Sequence, residues 1–248
     1  MNPKRIDSQF KPSISKRSFL VITILFILFN SSLKAQSITF YSGPSVPYGL
    51  FASNDITKKE AGFAKTGYHF SVLLEDLRKA RLISPYVQVM YNQNKIDEEP
   101  LEKYLMANNK QIQGYDATAP WRQGVAMAGA KVNLFKSGYD LYAKAGIGFG
   151  TFNAISSIQY YDSLLVLVRN PAKTNAAAAS LGAGFNIYLS PSLTLSSGVD
   201  MLYAKPNYGK VSFSDGAGNV IAITNTDEII PIHIMQWYVG LKFYLGKK

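Results

Sequence analysis

The chain has 248 residues, of which 47% are hydrophobic, with 26 Lys and Arg, 16 Asp and Glu and no Cys. This length fits one large domain or two small ones, and the apolar content excludes a disordered chain. The lack of Cys excludes disulfides and thiol-based metal or redox sites. Six bases and one acid lie in the first 35 residues, which therefore carry half of the net charge of +10. The rest has no basic run of the kind that nucleic-acid binding needs, so we expect no nucleic-acid partner.

Residues 1–35 have the pattern of a secretory signal peptide. A basic stretch precedes an apolar run from Phe19 to Phe29. That run fits a signal core of roughly 7–15 residues and is shorter than the about 20 residues of a membrane-spanning helix. We expect cleavage after Ala35, which leaves residues 36–248 as the mature domain. An uncleaved N-terminal anchor is the alternative.

Segments of about ten residues then alternate long apolar side chains with small or polar ones. In residues 180–189, Leu181, Phe185 and Ile187 share one face, and Gly182 and Gly184 share the other. The pattern recurs, with varying strength, in residues 38–43, 68–74, 87–91, 130–134, 141–151, 193–203 and 236–245. An oily face opposite a polar, glycine-rich face predicts a transmembrane β-barrel with lipid outside and a polar lumen.

The connections between these segments alternate in length. Short connections lie at 78–82, 137–138 and 190–192, and long ones lie roughly at 48–66, 94–120, 160–176 and 206–229. Outer-membrane barrels have short periplasmic turns and long extracellular loops. Their wall closes because an unpaired strand edge in hydrocarbon costs several kcal/mol per polar group.

We therefore predict an all-β fold, a single antiparallel eight-stranded up-and-down transmembrane β-barrel with extracellular β-hairpin extensions. A ten-stranded barrel is the alternative if the hairpin expected at 211–224 enters the wall. A soluble β-sandwich is a weaker alternative, because it gives no reason for the sorted loops.

The inward faces predict a closed lumen. Five glycines at inward positions leave room for large inward tyrosines; the glycines are Gly146, Gly148, Gly150, Gly182 and Gly184, and the tyrosines are Tyr142, Tyr188, Tyr238 and Tyr244. Lys131, Lys144 and Lys242 also face inward, near Glu75 and Asp200. Buried charges need partners, so we expect a salt-bridge network that plugs the barrel.

Three segments resemble the outer-membrane β-barrel ("porin family") domain of Gram-negative bacteria, which is similar to the small OmpX and OmpA barrels. They are Gly-Pro-Ser-Val-Pro-Tyr-Gly at 43–49, Gly-Ala-Gly at 182–184 and Trp-Tyr-Val-Gly-Leu-Lys-Phe-Tyr-Leu-Gly at 237–246. The resemblance covers about residues 37–246 and implies no catalytic residues. Tyr238, Gly240, Phe243 and Leu245 are similar to the C-terminal signal that the barrel assembly machinery reads, although this chain continues to Lys248.

Two histidines are candidate site residues. His69 and Ser71 share the inward face of one segment with Glu75, and a His-x-Ser pair resembles the lipid A deacylases of the outer membrane. A site acting on lipid should face outward, so we expect lumen-filling roles and no enzyme activity. His233 is expected near the outer end of the last strand. We assign no catalytic, cofactor-binding or metal-binding residue and expect no cofactor.

The long loops carry further local signals. Residues 95–106 predict a short helix with Pro100 in its first turn. Residues 211–224 predict a hairpin that turns at Asp215 and Gly216, and residues 160–168 suggest a second raised extension. Aromatic residues expected in the membrane interface are Trp121, Trp237, Tyr68, Tyr91 and Tyr203.

These features predict a small monomeric outer-membrane barrel with a structural or surface-interaction role, displaying its extracellular loops. Its expected partners are outer-membrane lipids, the barrel assembly machinery and an extracellular protein bound by β-addition. A narrow passive pore for ions or small solutes is the second hypothesis. A lipid-modifying hydrolase of the outer membrane is the third.

Overall fold

The computed structural model describes residues 36–76, 82–108, 111–134, 139–161 and 166–245. The expected signal peptide and its cleavage site fall on residues 1–35 and lie outside the described residues. The same holds for residues 246–248, which follow the expected assembly signal.

The described residues form strands and one helix, α1 (Glu98–Asn108). The strands are β1 (Gln36–Pro47), β2 (Gly67–Asp76), β3 (Ile83–Asn94), β4 (Ile112–Ala119), β5 (Trp121–Asn133), β6 (Tyr139–Asn153), β7 (Ser156–Tyr161), β8 (Val166–Arg169), β9 (Lys173–Ser190), β10 (Leu193–Ala204), β11 (Ser212–Ser214), β12 (Val220–Ile223) and β13 (Ile232–Tyr244).

Eight of these strands close into one barrel in the order β1-β13-β10-β9-β6-β5-β3-β2. Every neighbouring pair is antiparallel. The eight-stranded prediction is confirmed, and the ten-stranded alternative is wrong because β11 and β12 pair outside the wall. Two expected short connections, 78–82 and 137–138, lie wholly or mostly outside the described residues. The strand ends that flank the three short connections pair in register, as at Glu75 and Tyr86, Asn133 and Tyr142, and Ser190 and Leu193.

Alternate side chains along each barrel strand point to opposite sides of the wall, as the sequence alternation predicts. Outward side chains are apolar and exposed, as at Ile147 (75%), Leu181 (62%) and Phe149 (60%). Inward side chains such as Asn186 and Gln236 are polar and buried. A polar interior inside an apolar exterior is the reverse of a soluble protein, and it fits a wall surrounded by lipid.

A second sheet lies beyond the barrel at the long-loop end. Its five strands run in the order β12-β11-β8-β7-β4. The hairpin expected at 211–224 is confirmed as part of it. The raised extension expected at 160–168 is confirmed for the paired strands β7 and β8, and its residues 162–165 lie outside the described residues. Strand β4 was not predicted, because the sequence Ile-Gln-Gly-Tyr-Asp-Ala-Thr-Ala at 112–119 does not alternate strictly and its pairing with β7 is what defines the strand.

Helix α1 starts at Glu98, three residues later than the predicted segment, and Pro100 lies in its first turn as expected. Glu98 and Glu99 occupy that first turn, where their negative charges stabilise the helix by interacting with the positive end of its dipole. Within the described ranges, no helix is long and apolar enough to cross a membrane.

Four of the five expected interface aromatics point outward and are exposed, namely Trp237, Tyr68, Tyr91 and Tyr203. The expectation for Trp121 is wrong: its side chain is only 1% exposed and faces inward. Its indole Nε1 donates a hydrogen bond of 2.9 Å to the carbonyl oxygen of Gly62. The β1–β2 loop folds over the barrel mouth and encloses this ring.

Candidate functional site

The lumen holds an ion cluster toward its short-turn end. The Glu75 carboxylate lies 3.1 Å from Lys131 Nζ and 2.8 Å from Lys242 Nζ. All three side chains are buried. Lys131 also lies over the ring of Tyr142, 4.1 Å from its centroid. The cluster confirms the expected pairing of inward lysines with Glu75.

A second ion pair lies in the lumen near mid-barrel. Lys144 Nζ lies 2.7 Å from a carboxylate oxygen of Asp200, and both side chains are buried. The two residues are not on adjacent strands: both pair with Gly182 on the strand between them. A Cβ at Gly182 would overlap the Asp200 carboxylate. Glycine at this position therefore lets the ion pair form across β9.

The inward tyrosines use the same arrangement. Tyr142 pairs in register with Gly184, Gly184 with Gly198, and Gly198 with Tyr238. The two tyrosine hydroxyls meet across these glycines at a distance of 2.9 Å. A Cβ at Gly184 would come within 2.6 Å of the Tyr142 hydroxyl. Gly184 thus makes room for the Tyr142 ring, as the sequence predicted, whereas Gly148 and Gly150 lie against residues of β5. Tyr188 lies nearer the short-turn end, is 41% exposed and donates a hydrogen bond to Asp140.

An apolar cap closes the extracellular end. Its members are buried residues of the barrel mouth and of the loops above it, including Phe51, Phe63, Trp121, Phe152, Leu202, Tyr208, Ile232 and Ile234. Phe51 is fully buried, and its ring packs edge-on against Trp121 with centroids 5.5 Å apart. Sequence reasoning missed this cap. The available signal was the set of apolar residues in the loop, among them Phe51, Ile56 and Phe63.

The two histidines lie apart and in different settings. His69 and Ser71 are each 2% exposed and lie inside the lumen, where Ser71 Oγ accepts a hydrogen bond of 3.2 Å from Gln88. The barrel wall separates this pair from lipid. His233 faces outward, stacked between Tyr48 and Tyr203 with centroid distances of 5.4 and 5.0 Å. Among the described residues, no three His, Asp or Glu side chains are grouped closely enough to hold a metal ion.

Strand β12 forms one edge of the extracellular sheet and pairs with β11 on its other side. Its four residues are all exposed, with Val220, Ile221 and Ile223 between 51% and 59%. The hairpin turn is held by Asp215, whose carboxylate accepts bonds of 2.8 and 2.9 Å from the backbone and side-chain nitrogens of Asn219. These bonds hold the pKa of Asp215 below its ordinary value.

The hairpin is tied to the apolar cap. Arg169, which pairs in register with Phe213 of β11, donates bonds of 2.7 and 2.6 Å to both carboxylate oxygens of Glu228. Tyr208, a member of the cap, donates its backbone N–H to the Glu228 carbonyl oxygen. Burial raises the pKa of the Tyr208 phenol, and the negative charge of Glu228 acts in the same direction. The extracellular sheet is therefore braced against the barrel mouth.

A closed wall of eight antiparallel strands, an apolar exterior and a polar, filled lumen define the fold of a small outer-membrane β-barrel. No family model and no curated protein matches the chain. Among solved structures, it is similar to a major outer membrane protein of Thermus thermophilus, with a TM-score of 0.54 and 11% identity over 85% of this chain and 98% of that one.

Two further solved structures are less similar. Neisserial surface protein A has a TM-score of 0.41 and 9% identity, over 84% of this chain and 94% of that one. Ail, the attachment invasion locus protein of Yersinia pestis, has a TM-score of 0.39 and 10% identity, over 85% of this chain and 96% of that one. At these identities the similarity to the Thermus structure defines the fold, and the residues of this chain carry any argument about function.

Proposed function

We propose that the protein is a monomeric scaffold of the outer membrane whose lumen is closed and whose extracellular sheet binds a partner protein. A cleavable signal peptide over residues 1–35 would export it, and the barrel assembly machinery would insert it by reading the last strand. The observation that carries the binding role is the exposed, uncharged edge strand β12.

Edge strands attract other strands because their outer N–H and C=O groups are unpaired, and natural proteins usually protect them with charge, proline or a covering element. The β12 segment Val-Ile-Ala-Ile has none of these, and its side chains are exposed. Strand addition would supply main-chain hydrogen bonds for affinity, while Val220, Ile221 and Ile223 would contact the partner's side chains.

The other two hypotheses have less support. A passive pore requires an open lumen, whereas the ion pairs and the apolar cap occupy the lumen and its mouth. A lipid hydrolase requires a nucleophile that reaches lipid, whereas His69 and Ser71 are enclosed by the wall. We therefore infer a non-enzymatic role.

The last strand supports the assembly proposal. Strand β13 presents Trp237, Val239, Leu241 and Phe243 outward, with Tyr238 and Gly240 inward. It also closes the barrel by pairing with β1. An amphipathic closing strand of this kind is what an insertion machinery would have to recognise and pair.

The binding proposal is tested with Ile221→Lys/Ile223→Lys, which places charge on the β12 edge. Cells of a non-adherent Gram-negative host producing the full chain are counted on surfaces coated with serum or extracellular-matrix proteins. We expect adherence to fall roughly tenfold, the loss typical of removing central contacts.

The matched control is Asn225→Lys/Thr226→Lys, which adds the same charge at exposed positions just beyond β12. It should adhere like the wild type, and both variants should give the shifted band of a folded barrel on unheated gels. The proposal would be contradicted if wild-type cells adhered no better than cells lacking the protein. An equal loss of adherence in the control variant would contradict it as well.

A further inference from the structure

One row of polar side chains crosses the lipid-facing wall at its extracellular end. Gln93, Arg122, Asn153 and Lys173 lie on four adjacent strands, β3, β5, β6 and β9, and each pairs in register with the next. All four are at outward positions, and Arg122 and Lys173 are exposed. The register thus places two cations two strands apart on the outer surface of the barrel.

These cations have no carboxylate partner within the part of the chain that the structure describes. The neighbouring Gln93 has a fixed orientation, because its Oε1 accepts hydrogen bonds of 3.1 and 3.0 Å from the hydroxyls of Tyr68 and Tyr91. Its amide NH₂ group is left to donate elsewhere. The row therefore offers a guanidinium, an ammonium and an amide donor to one anion-rich ligand.

The wall changes from polar to apolar within four residues of this row along each strand. The next outward row, two residues along each strand, is Tyr91, Gly124, Thr151 and Asn175. In it, the Thr151 hydroxyl donates a hydrogen bond of 2.8 Å to the side-chain oxygen of Asn175. Two residues further, the aligned outward side chains are Val89, Ala126, Phe149 and Ala177. A molecule whose anionic end met the cations would thus have its other end against a hydrocarbon surface.

We propose that Arg122 and Lys173 bind the phosphate groups of a phosphorylated glycolipid in the outer leaflet, with its acyl chains lying against the apolar wall below. Arginine suits phosphate because its planar donors can bind two oxygens at once, and lysine adds a point charge. The long-loop end of such a barrel faces the outer leaflet. This site is separate from β12, so loss of adhesion in the β12 variants would leave it intact.

The test uses the folded full chain in detergent micelles and native mass spectrometry. The probes are lipid A with two phosphates and the same lipid A after removal of both. We expect the wild type to retain the diphosphorylated lipid A in preference to the dephosphorylated form. Arg122→Gln/Lys173→Gln should reduce that preference by roughly tenfold or more, because each basic side chain near a membrane surface adds to the affinity for anionic lipid.

The charge-matched control is Lys59→Gln/Lys210→Gln, which removes two exposed lysines from the extracellular loops. It should keep the wild-type preference. Equal retention of both lipid forms by the wild type would overturn the proposal, and so would an undiminished preference in the Arg122/Lys173 variant or an equal loss in the control. Displacement of the lipid by an equimolar amount of inorganic phosphate would overturn the assignment to a lipid.

Discussion

At the scale of single residues, glycine sets which inward side chains can meet. The Tyr142 ring extends over Gly184, whose missing Cβ leaves space for the phenol, and its hydroxyl reaches Tyr238. A methyl group at Gly184 would push this ring into a filled lumen.

We expect Gly184→Ala to lower the free energy of unfolding by about 1–3 kcal/mol, the range for overpacking a well-filled interior. Urea unfolding of the protein in phosphatidylcholine vesicles measures it. Gly124→Ala is the control, because Gly124 faces outward and a Cβ there meets nothing within 4 Å. It should be neutral or slightly stabilising, and equal effects of the two variants would contradict the packing argument.

The Lys144–Asp200 pair gives a second prediction at this scale. Asp200→Asn leaves the Lys144 ammonium buried without its carboxylate, which costs about 3–5 kcal/mol when a buried ion pair is broken from one side. The double variant Lys144→Met/Asp200→Asn removes both charges and should recover most of that loss. The same urea titration measures both, and a double variant no more stable than Asp200→Asn would show that the two charges are not coupled.

The strand faces and the lumen pairs were predictable because both follow from the period of two. Lys131, Lys144 and Lys242 fall on the same face as Glu75 and Asp200 in any register that keeps the apolar face in lipid. Closing the barrel buries these charges together, so that they pair with one another, and Lys144 also donates a hydrogen bond of 3.3 Å to Gln88. A one-residue slip would expose every charge to lipid, so the alternation alone determines which residues enter the lumen.

At the scale of elements, the apolar cap depends on a loop that no periodicity describes. Trp121 faces inward at the end of β5, where a barrel of this kind would ordinarily open to water. It is buried because Phe51 and the Gly62 carbonyl of the β1–β2 loop contact it. The prediction of an interface position for Trp121 overlooked that it shares the strand face of inward Lys131, and the fold of the loop over it depends on long-range contacts. Strand β4 was missed for the same reason, since its pairing with β7 defines it.

Phe51→Ala should release this loop. Truncating a buried phenylalanine removes about 3–5 kcal/mol of packing, and Phe51 is the most deeply buried of the loop residues in the cap, which also include Ala61, Phe63 and Ala64. We expect faster tryptic cleavage at Lys58 and Lys59 in intact vesicles. In a Trp237→Phe background, which leaves Trp121 as the remaining tryptophan, we also expect greater acrylamide quenching of the fluorescence. Phe149→Ala, which removes an outward ring that is 60% exposed, is the control and should leave both unchanged. Unaltered cleavage in Phe51→Ala would show that other contacts hold the loop.

At the scale of the whole molecule, two separate barriers block the barrel: ion pairs inside the lumen and an apolar cap at its outer mouth. The Glu75 cluster and the Lys144–Asp200 pair fill the lumen with matched charges, and the apolar cap seals the outer mouth. A path for ions would have to separate buried charges from their partners and then cross a dehydrated apolar layer. Both steps are unfavourable, so the molecule is better suited to support its extracellular sheet than to conduct.

The folded wild-type protein should therefore be silent in a planar bilayer. Single-channel recording measures this, and the presence of folded barrel in the same sample is checked by its band shift on unheated gels. Phe51→Ala removes one closure and should remain silent, because the ion pairs below it persist. Combining Phe51→Ala with Glu75→Gln and Asp200→Asn opens the cap and unpairs the buried lysines, so brief current steps are expected only there. Steady, ion-selective conductance from the wild type would instead favour the passive pore and contradict a closed lumen.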